Sequence, residues 1–370
     1  MNSKLIMLDK ESLLQCAQCH IRKDRIKGAI IGHGLGDALG APVEFAPYAH
    51  YTGVLNTPIV RISRAFGKQT SAVGLVTDDT EMAVALLRTL GEGYTKEKAV
   101  IEYMNWAGNR HGENIPGNAP FMGNNTRHLF TIPPKSKPSL KLYDSRVKKW
   151  FPDQASMDNS QSNGSLMRSY PLAFCPDSRF VATDSELTNP SALATNAVTA
   201  YVLAVRMAMA GATKEEIKQA IAGVLEHPVL AQAYDQACEN VHRDVTVSRG
   251  HIVHAFYCAF WGLFNFGDYR TAIDAIISLS PEAGVAAKFC SPGKQTKVVC
   301  GDTDTNAAIA GALLGAYYGL SEMLKDSVTS GNVEVMTNCD SKQGDIHRPD
   351  RYMLNKKNID KLTEIAVDLY

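Results

Sequence analysis

Apolar residues along this chain recur mostly at the helical spacing of three and four rather than in alternation. Residues 82–90 put Met82, Ala85, Leu86 and Leu90 on one face, and residues 191–210 do the same with Leu193, Ala197, Tyr201, Ala204 and Ala208. Thr213 followed by Glu216 is a capping box ahead of the run 217–225. Residues 252–264 are apolar nearly all round, which predicts a buried helix. Near the end, Ile359, Leu362, Ile365, Ala366 and Leu369 predict a helix that docks by one face. Strand-like alternation is confined to short candidates such as residues 298–300. Residues 108–126, rich in Gly, Asn and Pro, predict a long loop, and 133–158 is expected to continue irregular and basic. With no solenoid period and no convincing linker, the pattern predicts one compact all-α domain.

The segment from Asp24 to Gly40 carries an unusual row of glycines. A nucleotide-loop reading fails, because Leu39 stands where Gly34-x-Gly36 would need its third glycine and no strand pattern precedes it. Gly28, Gly32, Gly36 and Gly40 instead recur every four residues, in one line along a helix. Each costs up to about 1 kcal/mol against alanine in a helix, so the row predicts close approach of another backbone. Gly311, Gly315 and Gly319 repeat the spacing, and the two helices are expected to be central and closely packed. Pro42 ends the first and presents Glu44 on a loop. Residues 1–24 precede this core as an appendage, with a short helix expected over 9–19.

Composition narrows the function. Lys and Arg together number 38, as do Asp and Glu, so no net field attracts nucleic acid or an acidic membrane. No N-terminal stretch has the order of a signal peptide, and the uncharged run ending at Ser321 starts polar and falls short of a membrane span. A cytoplasmic protein is expected, its eight cysteines read as reduced thiols. Cys16-Ala17-Gln18-Cys19-His20 matches the haem-attachment pattern. Haem attachment requires export and a second axial ligand, for which the sequence offers no support; a zinc clip is the other alternative, and a pair without function is the reading adopted. His251 and His254, at a helix start, are read as structural.

Two stretches carry chemistry. Asp302-Thr303-Asp304-Thr305 and Thr77-Asp78-Asp79-Thr80-Glu81 each open a helix. One such residue suffices to cap a helix; several carboxylates invite repulsion that a bound cation relieves. Oxygen ligands without His or Cys suit Mg²⁺ or Mn²⁺. Together the stretches supply enough carboxylates for a two-metal centre with ions about 3.5–4 Å apart. A third, Asn163-Gly164-Ser165-Leu166-Met167-Arg168, is turn-rich; its amides could cradle phosphates, and turn chemistry explains it equally well.

These motifs, with Gly36-Asp37-Ala38-Leu39-Gly40-Ala41-Pro42-Val43-Glu44, stand in an order that resembles the ADP-ribosylglycohydrolase family over about residues 25–370. The family includes the dinitrogenase-reductase-activating glycohydrolases and the ADP-ribosyl-arginine and ADP-ribosyl-serine hydrolases. The resemblance implies a compact orthogonal all-α fold over 25–370, following the 1–24 extension. It implies two Mg²⁺ or Mn²⁺ ions held by Thr77, Asp78, Asp79, Asp302, Asp304 and Thr305, and an ADP-ribose site lined by Asn125, Thr126, Ser162, Asn163 and Gly164. Glu44 would sit on a loop at the metals, and Glu44 or Asp79 would take the proton from water. The implied substrate is an ADP-ribosylated protein, modified on arginine by preference, with ADP-ribosyl-serine or a free ADP-ribose derivative as the alternative. Thr188-Asn189 departs from the Thr-His of many relatives, which bears on one substrate contact. The extension resembles that of bacterial immunity proteins against ADP-ribosyltransferase toxins, so a toxin bound through residues 1–24 is a possible partner, and a binding-type immunity protein the alternative to an enzyme.

Overall fold

A computed structural model describes residues 10–45, 71–110, 115, 117–133, 135–279 and 301–370, with only the backbone described over 10–18. These residues form sixteen α-helices: α1 (Lys10–Gly40), α2 (Asp78–Gly91), α3 (Lys96–Ala107), α4 (Asn124–Phe130), α5 (Leu140–Trp150), α6 (Gln154–Asp158), α7 (Arg179–Glu186), α8 (Ala192–Ala210), α9 (Lys214–Ala222), α10 (Pro228–Cys238), α11 (Ile252–Asn265), α12 (Tyr269–Ile277), α13 (Thr303–Tyr318), α14 (Leu320–Met323), α15 (Ser327–Thr337) and α16 (Lys356–Leu369). Among them there is no strand, only isolated bridges joining Ser71 to Gly344 and Ile346, and Ser162 to His251. The strand candidate at 298–300 lies outside the described residues.

The architecture is set by α1 against α13. A Cβ placed on Gly28 would collide with the carbonyl of Gly315, on Gly32 with Gly311, on Gly36 with Ala307 and on Gly40 with Thr303. The pairs step down one helix as they step up the other, so the two run antiparallel, backbone on backbone. Gly319 continues this register but lies just past the end of α13, at φ 82°, facing Asp24. The Asp24 carboxylate accepts from the Ser321 N–H at 3.0 Å and its hydroxyl at 2.7 Å, which ties the far ends together. Two tyrosine hydroxyls donate to carbonyls of the central pair: Tyr269 to Gly32 at 2.7 Å and Tyr201 to Ile309 at 2.8 Å.

Most predicted helices are present with their caps. Ser191 accepts from the Ala194 N–H ahead of α8, and Thr213 with Glu216 closes the capping box of α9. The apolar helix α11 is buried along almost its whole length. Its two histidines are structural as read: His251 Nδ1 accepts from the Val253 N–H, and His254 lies between Arg243 Nε at 3.1 Å and the Val247 carbonyl at 2.8 Å.

Two expectations are corrected. The stretch 133–158 is not irregular throughout, since it contains α5 and α6. Ser139 caps α5, and its interspersed lysines and arginine mask the spacing of Leu140, Tyr143, Val147 and Trp150. The short helix expected over 9–19 is instead the start of α1, which passes residue 24 without interruption.

Candidate active site

The register of α1 on α13 sets acidic residues from the two helices beside each other, and α2 adds its own. Gly40 meets Thr303, whose hydroxyl donates to the Gly40 carbonyl at 2.7 Å. That contact turns Thr303 toward α1 and leaves Asp302, Asp304 and Thr305 on a cavity of about 640 Å³. Asp37, one turn before Gly40, accepts from the N–H and hydroxyl of both Thr77 and Thr80, at 2.6–3.1 Å. It thereby fixes the first turn of α2 and aims Asp78 and Asp79 into the same cavity.

The result is two overlapping carboxylate triads. Oxygens of Asp37, Asp79 and Asp304 lie within 4.8 Å of one another, as do those of Glu44, Asp302 and Asp304. Asp304 is common to both. Burial, with the charge of neighbouring carboxylates, raises Asp78 and Asp79 well above the usual carboxylate range, and burial raises Asp302. Burial and then the charge of Asp304 push Asp37 up to about 7, against the opposing threonine donors. Such a group resists ionising together unless positive charge is supplied.

The residues fit divalent cations. The donor set is all oxygen, and Asp79 Oδ1 is buried with no hydrogen-bond partner. An orphaned carboxylate oxygen inside a protein is costly, and a cation would satisfy it. Thr305 lines the cavity, and its backbone N–H donates to Asp304 Oδ1 at 2.9 Å. Thr77 is placed differently from its expected neighbours: it does not line the cavity, and its hydroxyl lies 2.8 Å from Asp37 and 3.0 Å from Asp79.

All five residues expected at the ADP-ribose site line the cavity, with distinct surroundings. Asn163 Nδ2 donates to Asp302 Oδ2 at 2.7 Å, linking that loop to the acidic floor. The amide of Asn125 is already engaged, giving to Ser160 Oγ and the Thr188 carbonyl and accepting from Trp150 Nε1. Asn189 stands behind the loop, outside the cavity, and donates to the Ser162 carbonyl at 3.0 Å and hydroxyl at 2.9 Å. The Thr-Asn departure therefore concerns loop support.

A model of the family described as ADP-ribosylglycohydrolase matches residues 18–334. The chain belongs to this family. It is a glycohydrolase of ADP-ribosyl groups, and metal dependence is a property of the family it joins. It is 27% identical to the ADP-ribosylarginine hydrolase Tri1 of Pseudomonas putida (strain GB-1), over 81% of this chain and 72% of that one. It is 25% identical to the ADP-ribosylhydrolase ARH3 of Danio rerio, over 81% and 84%. A solved structure titled ADP-ribosylglycohydrolase-related protein complex superposes with a TM-score of 0.61 at 20% identity, covering 95% of this chain and 98% of that one, and shares its all-α fold.

Several residues of this glycohydrolase site escaped sequence reading. Asp37 stands in the motif Gly36 to Glu44, but nothing in its spacing assigned it a place among the site carboxylates. Phe45, Phe121 and Trp150 line the cavity without any spacing to announce them. Behind α2, Glu81 turns away and accepts from Arg348 Nε at 2.7 Å and Trp106 Nε1 at 2.7 Å, while Arg348 Nη1 reaches Asn109. Arg348 is fully buried and lies beyond the matched residues. On the opposite side, Arg168 pairs with Asp184 at 2.9 Å and donates to the Gly164 and Thr188 oxygens, which holds the 160–164 loop from beneath.

Proposed function

We propose that this enzyme hydrolyses the bond between the anomeric carbon of ADP-ribose and a protein side chain, arginine by preference, with two Mg²⁺ or Mn²⁺ ions. The observation that carries the reading is the pair of triads sharing Asp304 on the floor of a cavity wide enough for a dinucleotide-sized ligand. Asp78, Asp79, Asp302, Asp304 and Thr305 would hold the ions, with Asp37 and Thr77 beneath them. When bound, such ions hold ribose hydroxyls and acidify water. Glu44 is our choice of base over Asp79: it is half-buried on the cavity rim, so its proton can exchange with solvent, whereas Asp79 is sunk in the crowded triad. Water oxygen attacks the anomeric carbon, its proton passes to Glu44, and the electrons of the breaking C–N bond return to the guanidine, which takes up a proton. Asn163 and the 160–164 loop would orient the sugar and diphosphate. The arginine preference is supported by the likeness to Tri1, and the likeness to ARH3 keeps serine as the alternative. Release of ADP-ribose from arginine- and serine-modified proteins, side by side and with or without Mg²⁺, tests it; release from neither sinks it.

A second role is proposed for the exposed stretch of α1 at residues 19–22, where Arg22 lies over the Tyr370 ring. Cys19 to Arg22 are exposed, with Ile21 at 56%, whereas from Asp24 onward α1 is tied to the core. An exposed apolar side chain such as Ile21 suits a partner, and a transferase toxin is the partner the immunity reading supplies. Removing residues 1–22, which takes away Ile21 and leaves the Asp24 tie to Ser321, should weaken a toxin complex in a pull-down while hydrolysis persists. Equal capture of toxin by the truncated chain would end this reading.

A further inference from the structure

The carboxylate floor does not account for Phe45 and Arg249 at the rim. Phe45 follows Glu44 and lines the cavity, yet it is 39% exposed. Its backbone is left-handed, φ 51°, a conformation that a bulky residue adopts only when its surroundings impose it. A hydrogen bond from its N–H to the Gly301 carbonyl at 3.2 Å fixes the ring beside the start of the Asp302 stretch. The guanidinium carbon of Arg249 lies over the ring, 4.7 Å from its centroid. Arg249 comes from the 241–251 connection that His254 pins, and its charge is felt by Asp302. Its neighbour Gly250 lines the cavity beside Asp302, where a Cβ would make ordinary contact with Oδ2 at 3.7 Å. The rim thus offers an aromatic face to a guanidinium, with Glu44 and Asp302 close enough to favour positive charge.

We propose that the face of Phe45 is the seat for the guanidinium of the target arginine, and that Arg249 is its resting occupant, displaced when the modified side chain enters. This rests on the arginine reading above. An N-glycosylated guanidinium remains cationic and planar, so it stacks as Arg249 does. Exchange of one for the other is nearly balanced, since an exposed cation–π contact changes an equilibrium by only about two- to fivefold. Arg249 therefore screens the seat against weakly held cations and yields to a substrate also anchored through ADP-ribose.

The two side chains make opposite predictions although they form one contact. With ADP-ribosyl-arginine as substrate and arginine methyl ester as competitive inhibitor, Arg249→Ala should lower KM and the ester's inhibition constant by about two- to fivefold, and Phe45→Ala should raise both by a similar factor. Inhibition by ADP-ribose, which lacks a guanidine, should change in neither. Both are rim positions, and unchanged melting temperatures would exclude misfolding. If the contact merely clamps the rim, both variants will shift in the same direction; that result, or no shift in either, overturns the seat. A wild-type enzyme that cleaves the serine-linked compound alone would overturn the arginine reading and the seat with it.

Discussion

The same two helices make a seam that admits no side chain and, at one end, a site crowded with charge. Along the seam, Gly28, Gly32, Gly311 and Gly315 let carbonyls and α-carbons touch, and every added atom is a collision. At the end, where Gly40 still meets the Thr303 backbone, Asp37, Asp79 and Asp304 converge beside that contact, with oxygens within 4.8 Å of one another. The seam is the part that tolerates no change of volume, while the site tolerates no change of charge. The first sets the second, because a slip in helix register would carry Asp304 away from Asp37 and Asp79 together.

The largest effect is therefore expected from breaking the seam. Gly315→Leu drives a branched side chain into the Gly28 carbonyl, and overpacking typically costs about 1–3 kcal/mol or more even where side chains can yield. Here the neighbour is backbone, so loss of soluble folded protein, or a large fall in melting temperature, is expected. An unchanged melting curve would mean that α1 and α13 do not touch at this point.

Asp304→Asn reverses the pattern. It alters no volume but removes the carboxylate common to both triads, so hydrolysis should fall to background while the helical content stays intact. Chelation should mimic it. With like charge relieved, the metal-free variant should also melt no lower than the metal-free wild type. Full turnover by this variant in metal-free buffer would refute the binuclear reading.

Behind the site, the paired charge of Glu81 offers a sharper contrast with Asp79, two residues away. Glu81 and Arg348 are both buried and hydrogen-bonded. Removing one partner of such a pair typically costs about 3–5 kcal/mol, because the survivor is left buried and unpaired. Arg348→Met should therefore destabilise strongly, and the double variant Glu81→Gln with Arg348→Met should recover a good part of the loss. Because Glu81 shares the first turn of α2 with Asp78 and Asp79, both variants should also bind Mn²⁺ more weakly by electron paramagnetic resonance. Additive losses in the double variant would show that the two residues act separately.

The seam and the acidic helix starts were readable because each repeats at helical spacing or concentrates charge within a few residues. Gly28 to Gly40 and Asp302 to Thr305 announce themselves in this way, and the family motifs fixed their order. Arg348 had no such signal: it lies in an irregular segment, and only folding brings it to Glu81, 267 positions away in sequence. Trp150 was hidden because the charges around α5 obscured its periodicity. Gly319 was misread by one step, since spacing alone cannot distinguish a glycine within a helix from one that ends it at positive φ. Local pattern thus shows which residues share an element, while pairings of single side chains across the fold depend on tertiary geometry.

The smallest expected effect concerns pH and the connection that carries Arg249 and Gly250 to the rim. His254 Nδ1 accepts from Arg243 Nε, and its Nε2 gives its proton to the Val247 carbonyl, an arrangement open only to the neutral ring. Burial, reinforced by the charge of Arg243, lowers His254 from 6.5 to about 4. Between those values the unfolded chain binds the proton and the folded one does not, so this group's contribution to stability rises with pH. It is complete above about 6.5 and is lost on acidification toward 4. Replacing His254 with Asn keeps a side chain of hydrogen-bonding character but removes the titration. Compared with wild type, the variant's melting temperature should fall less steeply from pH 6.5 to 4.5, while the two proteins differ by a constant amount above pH 7. Parallel curves across the whole range would show that His254 does not titrate differently in the folded state, and that the Arg243 contact does not hold the rim connection in the way the geometry indicates.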